Sequence, residues 1–194
     1  MSENELERSP TAITDRVRDR LYDARTIIIS GEISQKLVSS VIAQLVAMSA
    51  ESNDPVTLFI NSQGGHVESG DTLHDVIRFI EPKVKIIGTG WVASAGALIY
   101  VSVPREDRYC LPNTRFLLHQ PWGGVGGSAS DIEIEANEML RMRERLNQIF
   151  AEGTGQPLEK IQEDTRRNFW LGAREAKEYG LVGSIVKHLS EVPS

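Results

Sequence analysis

With one cysteine, Cys110, the chain cannot close an internal disulfide or build a thiolate metal cluster, and that usage suits a reducing compartment. No stretch of about 18 apolar residues occurs, so no membrane-spanning helix is expected. The opening Met1-Ser2-Glu3-Asn4-Glu5 lacks the basic-then-apolar order of a signal peptide. A cytosolic location follows as the expectation, or an organelle after removal of a presequence. Lys and Arg number 21 against 27 Asp and Glu, for a net charge of -6, and they form no basic run; nothing favours nucleic acid or an acidic membrane as partner. There is no dinucleotide fingerprint, no phosphate-binding P-loop spacing, no internal repeat and no low-complexity segment. What remains is a soluble chain of 194 residues, 40% of them apolar, enough for one domain with a sizeable core.

Short β-branched runs alternate with helical spacing. Residues 25–30, 56–61 and 84–89 read as strands. Between the first two, Leu37, Val41, Leu45 and Met48 recur on one helical face; between the next two, Leu73, Ile77 and Ile80 do the same. Continuous apolar strands such as Thr26-Ile27-Ile28-Ile29 belong under helices on a parallel sheet, so the fold class is α/β. Two shorter strands are expected over 108–111 and 115–119. A loop follows at Gly123-Gly124-Val125-Gly126-Gly127, and then a long helix over about 130–152 opened by a Ser130/Glu133 capping box. Its apolar stripe includes Met139, Leu140, Leu146 and Ile149. It serves either as a core helix or as a projecting helix buried against another molecule. Residues 1–20 read as an N-terminal segment or tail, with Ile13 and Val17 at helical spacing, and 21–194 as the single domain.

Three places carry candidate chemistry. The segment Gly88 to Ala97 follows a strand and surrounds Ser94 with small residues; a helix starting near Ala95 would put Ser94 where free N–H groups favour developing negative charge. Val92 departs from the Gly-x-Ser-x-Gly elbow of α/β-hydrolases, and a helix-capping serine is the plainer reading of Ser94 alone. Asn61-Ser62-Gln63-Gly64-Gly65 also follows a strand, and the Gly65 and Ala95 N–H groups form a candidate oxyanion hole; a tight turn explains the glycines equally well. His119 ends the apolar strand Phe116-Leu117-Leu118 and is a candidate general base, against a structural histidine. His66, His74 and His188 fall in polar or helix-surface contexts.

Taken together, Gly90 to Ala97, His119-Gln120-Pro121 with its glycines, Ser130-Asp131-Ile132-Glu133-Ile134, and Glu175 to Val182 closely resemble the proteolytic subunit of the Clp protease, from about Leu21 to His188. The resemblance implies a crotonase-like spiral of ββα units with a protruding handle helix. It also implies heptameric rings stacked as a tetradecamer, and a partner AAA+ ATPase that unfolds protein substrates and feeds them inward. ATP would belong to that partner, and no cofactor or metal to this chain. Carried over by position, the nucleophile falls on Ser94, the base on His119 and the oxyanion donors on Gly65 and Ala95. The third triad member departs from the pattern: Asn168 stands where the family usually has Asp. Asn can accept the imidazole N–H but carries no charge to stabilise an imidazolium. Asp164, four residues earlier, is one helical turn away if the segment stays helical and is a candidate substitute acid; a solvated helix-end carboxylate is the plainer reading. Three functions are therefore in contention: a serine endopeptidase, a weak or silent subunit assisted by a second Clp subunit in a mixed ring, and an acyl-CoA hydratase or isomerase on the same fold.

Overall fold

A computed structural model describes residues 15–124 and 126–193. The first half of the chain builds three layers of strand and helix in succession. α1 (Asp15–Asp23) leads into β1 (Thr26–Ser30), α2 (Gln35–Glu51), β2 (Val56–Ser62), α3 (Val67–Phe79) and β3 (Val84–Ala93). The second half continues with α4 (Ala95–Tyr100), β4 (Arg108–Cys110), β5 (Arg115–Leu118), α5 (Ala129–Thr154), α6 (Leu158–Asp164), β6 (Phe169–Gly172), α7 (Ala173–Tyr179) and β7 (Ser184–Ile185). Strands β1-β2-β3-β4-β7 lie side by side in parallel, while β5 pairs in parallel with the far end of β3 and antiparallel with β6. This is the expected α/β class.

The core follows from the periodicities. Val38, Val41, Leu45 and Met48 of α2, together with Leu73 and Ile77 of α3, close over Ile27, Ile29, Leu58, Ile60 and Ile86. Side chains in a strand alternate between faces, so Ile28 points the other way and is 48% exposed. The uninterrupted apolar run of β1 is thus an edge strand with one covered face, not the doubly buried strand its composition predicts. Ser34 caps α2, accepting a hydrogen bond from the Leu37 N–H at 3.3 Å.

A bulge in β3 sets up everything that follows. Ile60 of β2 pairs with Gly88, but Ser62 pairs with Val92, so two residues of β2 span the stretch taken by four of β3. Gly90 at the bulge has φ +54°, and a Cβ there would lie 2.6 Å from Asn61 Oδ1, which accepts the Trp91 N–H at 3.0 Å. The bend lets one strand serve two neighbours. Ile86 to Gly88 pair with β4, and Trp91 to Ala93 pair with β5.

α5 is 26 residues long, about 39 Å at the helical rise. Only Leu146, Asn147, Phe150 and Thr154, in its last third, are buried; residues 129–138 are all exposed. The projecting alternative is therefore the right one for its first half. Leu146, grouped above with the apolar stripe, belongs to the core instead, and Ile132, Ile134 and Leu140 are the apolar residues left in solvent. The capping box is formed by Ser128 and Asp131, two residues earlier than the Ser130/Glu133 pair expected. The reason lies in Gly127, whose φ of +149° lets the glycine loop end there. The boundary drawn after residue 20 falls inside α1, and residues 1–14 of that N-terminal segment lie outside the described residues.

Candidate active site

Ser94 sits where β3 turns into α4. Its φ of 55° and ψ of -122° are unusual for a residue with a side chain and cost about 1–3 kcal/mol. The backbone is held there by the Ser94 N–H donating to the Leu117 carbonyl at 2.9 Å. Its hydroxyl makes no capping bond to α4, so the helix-cap reading does not describe it. A strained strand-to-helix turn that presents a free hydroxyl is the geometry of a nucleophile elbow, reached here without the glycine usual two residues before.

The glycine loop after β2 lies against this turn. Gly64 has φ +100°, and a Cβ on it would stand 2.6 Å from Ser94 Cβ. Ser62 Oγ accepts the Gly64 N–H at 3.0 Å. Ile33 N–H donates to the Gly64 carbonyl at 2.9 Å, and His66 N–H donates to the Ile33 carbonyl at 2.8 Å. The Gly65 amide between them takes part in neither bond. Ala95 is the first residue of α4, and its amide is one of those a helix leaves unpaired at its start.

Strand register brings the other residues in. Val92 pairs with Phe116 and Ala93 with Leu117, so β5 emerges beside Ser94 and delivers His119 immediately after its last paired residue. On its other side β5 pairs with β6, Leu118 opposite Phe169. The pairing ends there, with His119 and Asn168 the next residues of the two segments and no hydrogen bond between them. Two bonds hold the departing chains together: Gln120 N–H to the Thr165 carbonyl at 2.8 Å, and Gln120 Nε2–H to the Arg166 carbonyl at 3.0 Å. Buried Thr165 also donates through Oγ1 to Asn147 Oδ1 of α5 at 2.9 Å. Neither Thr165 nor Asn147 carries a local sequence signal for this tie.

Ser94 and His119 line one narrow cleft of about 10 Å³, walled by Val67, Ala95, Leu98, Pro121, Leu146 and Phe150. Its walls are almost wholly apolar. His119 is half-buried, and that burial pushes its imidazole below the ordinary histidine value of 6.5, which keeps it a neutral proton acceptor at pH 7. Asn168 is exposed.

Asp164 is placed elsewhere. α6 ends at Asp164 and Thr165 to Arg167 form a turn, so the helical spacing to Asn168 does not exist. The carboxylate accepts hydrogen bonds from Lys160 Nζ at 2.7 Å and from the Tyr179 hydroxyl at 2.6 Å. Burial and that hydrogen bond together push the Tyr179 phenol well above its ordinary value. His74 is also misplaced by its sequence context: it is 5% exposed, inside the protein. Among the described residues, no group of three or more His, Cys, Asp or Glu is placed to hold a metal ion.

Residues 9–189 match the family described as Clp protease. This chain belongs to the Clp protease family. It is 62% identical over 172 residues to the ATP-dependent Clp protease proteolytic subunit 3 of Rhizobium meliloti, covering 89% of this chain and 88% of that one. It is 52% identical over 181 residues to the proteolytic subunit 2 of Pseudomonas aeruginosa, covering 93% of this chain and 90% of that one. Among solved structures, ClpP1 from Listeria monocytogenes is similar in two forms. An Asn-to-Asp mutant superposes with a TM-score of 0.86 and the unmutated protein with 0.83; each is 52% identical and covers 91% of this chain and 99% of that chain. The Clp fold therefore extends over 91% of this chain.

Proposed function

We propose that this chain is a serine endopeptidase subunit of a Clp-type protease, with Ser94 as nucleophile, His119 as general base, and the Gly65 and Ala95 N–H groups as oxyanion hole. The observation that carries this reading is the uncapped hydroxyl of Ser94, held at positive φ and sharing an apolar cavity with His119. His119 takes the hydroxyl proton as Ser94 Oγ attacks the carbonyl carbon of a peptide bond. The carbonyl oxygen gains negative charge and is received by the two amides, and the imidazolium returns its proton to the leaving amine. Water then releases the acyl group by the same steps in reverse.

The relatives are named as proteolytic subunits of ATP-dependent proteases, which supports a partner ATPase. On this reading that partner is an AAA+ unfoldase that feeds unfolded protein into a chamber of stacked heptameric rings. No helix of the described residues is long and apolar enough to cross a membrane, in keeping with work in the cytosol. Asn168 favours a second reading, in which the subunit is slow by itself and acts in a mixed ring with another Clp subunit. A fluorophosphonate probe separates the two from a silent site. Wild type is expected to take up the probe at Ser94, faster in Asn168→Asp, while Ser94→Ala takes up none. Failure of intact wild type and Asn168→Asp to label would remove the nucleophile assignment.

The exposed half of α5 supplies the surface for ring stacking, through Ile132, Ile134 and Leu140. Ile132→Asp combined with Leu140→Asp should lower the sedimentation coefficient to that of single rings or smaller. An unchanged coefficient would take α5 out of the assembly.

A further inference from the structure

Behind the nucleophile turn, on α3, lies a buried residue that contacts the backbone of α4. α4 has six residues, too few to be stable without packing, yet it carries Ala95 at its start and follows directly from Ser94. Its far end is irregular. Val101 N–H donates to the Ala97 carbonyl and Ser102 N–H to the Ile99 carbonyl, each at 3.1 Å, and the Leu98 carbonyl between them is passed over. A buried carbonyl without a donor is costly. His74 supplies the donor: its Nδ1 lies 3.0 Å from the Leu98 oxygen, in a buried contact. A carbonyl oxygen only accepts, so the proton sits on Nδ1.

The contact is part of a row. Val67, Gly70 and His74 recur at helical spacing on the face of α3 that runs along α4. Val67 reaches the cavity wall. At Gly70 the backbones approach so closely that a Cβ would lie 3.2 Å from Ala95 Cβ and 3.3 Å from the Ala95 oxygen. Asp71, adjacent on the same helix, pairs with Arg145 of α5, one residue before the cavity-lining Leu146. Thus α3 touches both helices that enclose the cavity.

We propose that His74 is a positioning residue for the peptidase site: its hydrogen bond to the Leu98 carbonyl fixes α4 along its axis against α3, and so fixes where the Ala95 N–H points. The proposal rests on the peptidase reading above. Sliding α4 moves the Ala95 N–H together with the Ala95 and Leu98 walls of the narrow cleft. Since the oxyanion exists only in the transition state, losing its donor weighs on kcat more than on KM.

The test compares His74→Leu, which removes the donor, with His74→Asn, whose amide nitrogen can occupy the place of Nδ1. Each is assayed as the intact oligomer for kcat and KM on a fluorogenic peptide, and for hydrogen exchange of the backbone amides of residues 95–101. His74→Leu is expected to lose about tenfold in kcat, in the range for a small misplacement of reacting groups, with KM within about twofold. Amide exchange in α4 should rise, and His74→Asn should recover most of both. Gly70→Ala, which crowds Ala95 directly, should show the same kcat-weighted loss if His74→Leu fails to fold. Unchanged kcat and unchanged exchange in folded His74→Leu, or a loss in KM alone, would overturn the assignment. If wild type and Asn168→Asp neither cleave nor label, the peptidase reading falls. The exchange comparison still decides whether His74 holds α4, and without that hold the positioning role falls as well.

Discussion

Asn168→Asp is expected to raise kcat by up to about 10⁴-fold, equivalent to about 5.5 kcal/mol of barrier, the scale of the corresponding loss in the trypsin-like Ser-His-Asp template. The argument begins with register. β6 runs antiparallel to β5 with Leu118 opposite Phe169, so Asn168 is the first residue before the paired stretch as His119 is the first after it, and we infer that a side chain at 168 reaches the imidazole. In the proposed mechanism His119 becomes a cation in the transition state. Asn168 can accept its N–H but cannot balance that charge, and its amide group can equally turn a donor toward the ring and select the wrong tautomer. A carboxylate does neither harm. Asp164 makes no hydrogen bond to His119; its Oδ2 takes the Lys160 and Tyr179 donors instead.

The same substitution should change the pH profile, with a sign fixed by electrostatics. In the wild type, burial holds the His119 pKa below 6.5, and with the neutral ring as the base of the proposed mechanism the acid limb of kcat/KM is expected below that value. A carboxylate at position 168 favours the imidazolium and moves the limb upward. Stability runs in the same direction in the wild type: between the folded pKa and 6.5 the unfolded chain binds more protons at this residue, so its contribution is lost as pH falls through that window. The measurement is kcat and kcat/KM against pH for both proteins as intact rings. A rate and an acid limb that both stay where they are would show that position 168 does not act on His119.

How much of this was legible in the sequence depends on the distance over which each feature is determined. β1, β2 and β3 begin within one residue of where the apolar runs place them, because a strand buried on at least one face is written locally as a β-branched run between polar breaks. Ser94 and His119 stand out through their small or glycine-rich neighbours. β6 had no comparable signal: Phe-Trp-Leu-Gly is four residues long, and only its pairing with β5 makes it a strand. His74 shows the limit most clearly. Its neighbours Thr72 and Asp75 are polar, yet it is buried by the close approach at Gly70 and satisfied by a carbonyl 24 residues away. The positive φ of Ser94 is likewise a product of the β3 bulge and the β5 contact, neither of which a short window of sequence contains.

Gly65→Ala should lower kcat/KM by about 10³-fold, at the upper end of what removing one oxyanion donor costs. The residue has φ +148°, outside the range that a side chain accepts easily. More decisive is what a methyl group would meet: the Ile33 oxygen at 2.4 Å and the Ile33 nitrogen at 2.9 Å, both backbone, with Glu32 Cγ at 3.0 Å. No side-chain rotation relieves the first two contacts. The loop has to move away from Ile33, and the movement breaks the bridge between Ile33 and Gly65 that fixes where the Gly65 N–H points. Gly31→Ala is the matched control. Gly31 has φ +87° but nothing within 4 Å of an added Cβ, so that change costs conformational energy of about 1–2 kcal/mol without touching the site. Thermal melts of the two variants are expected to show a loss in each, while peptide hydrolysis falls only in Gly65→Ala. Equal activity in the two, with both folded, would mean that the Gly65 amide does not receive the oxyanion and that Ala95 acts with some other donor.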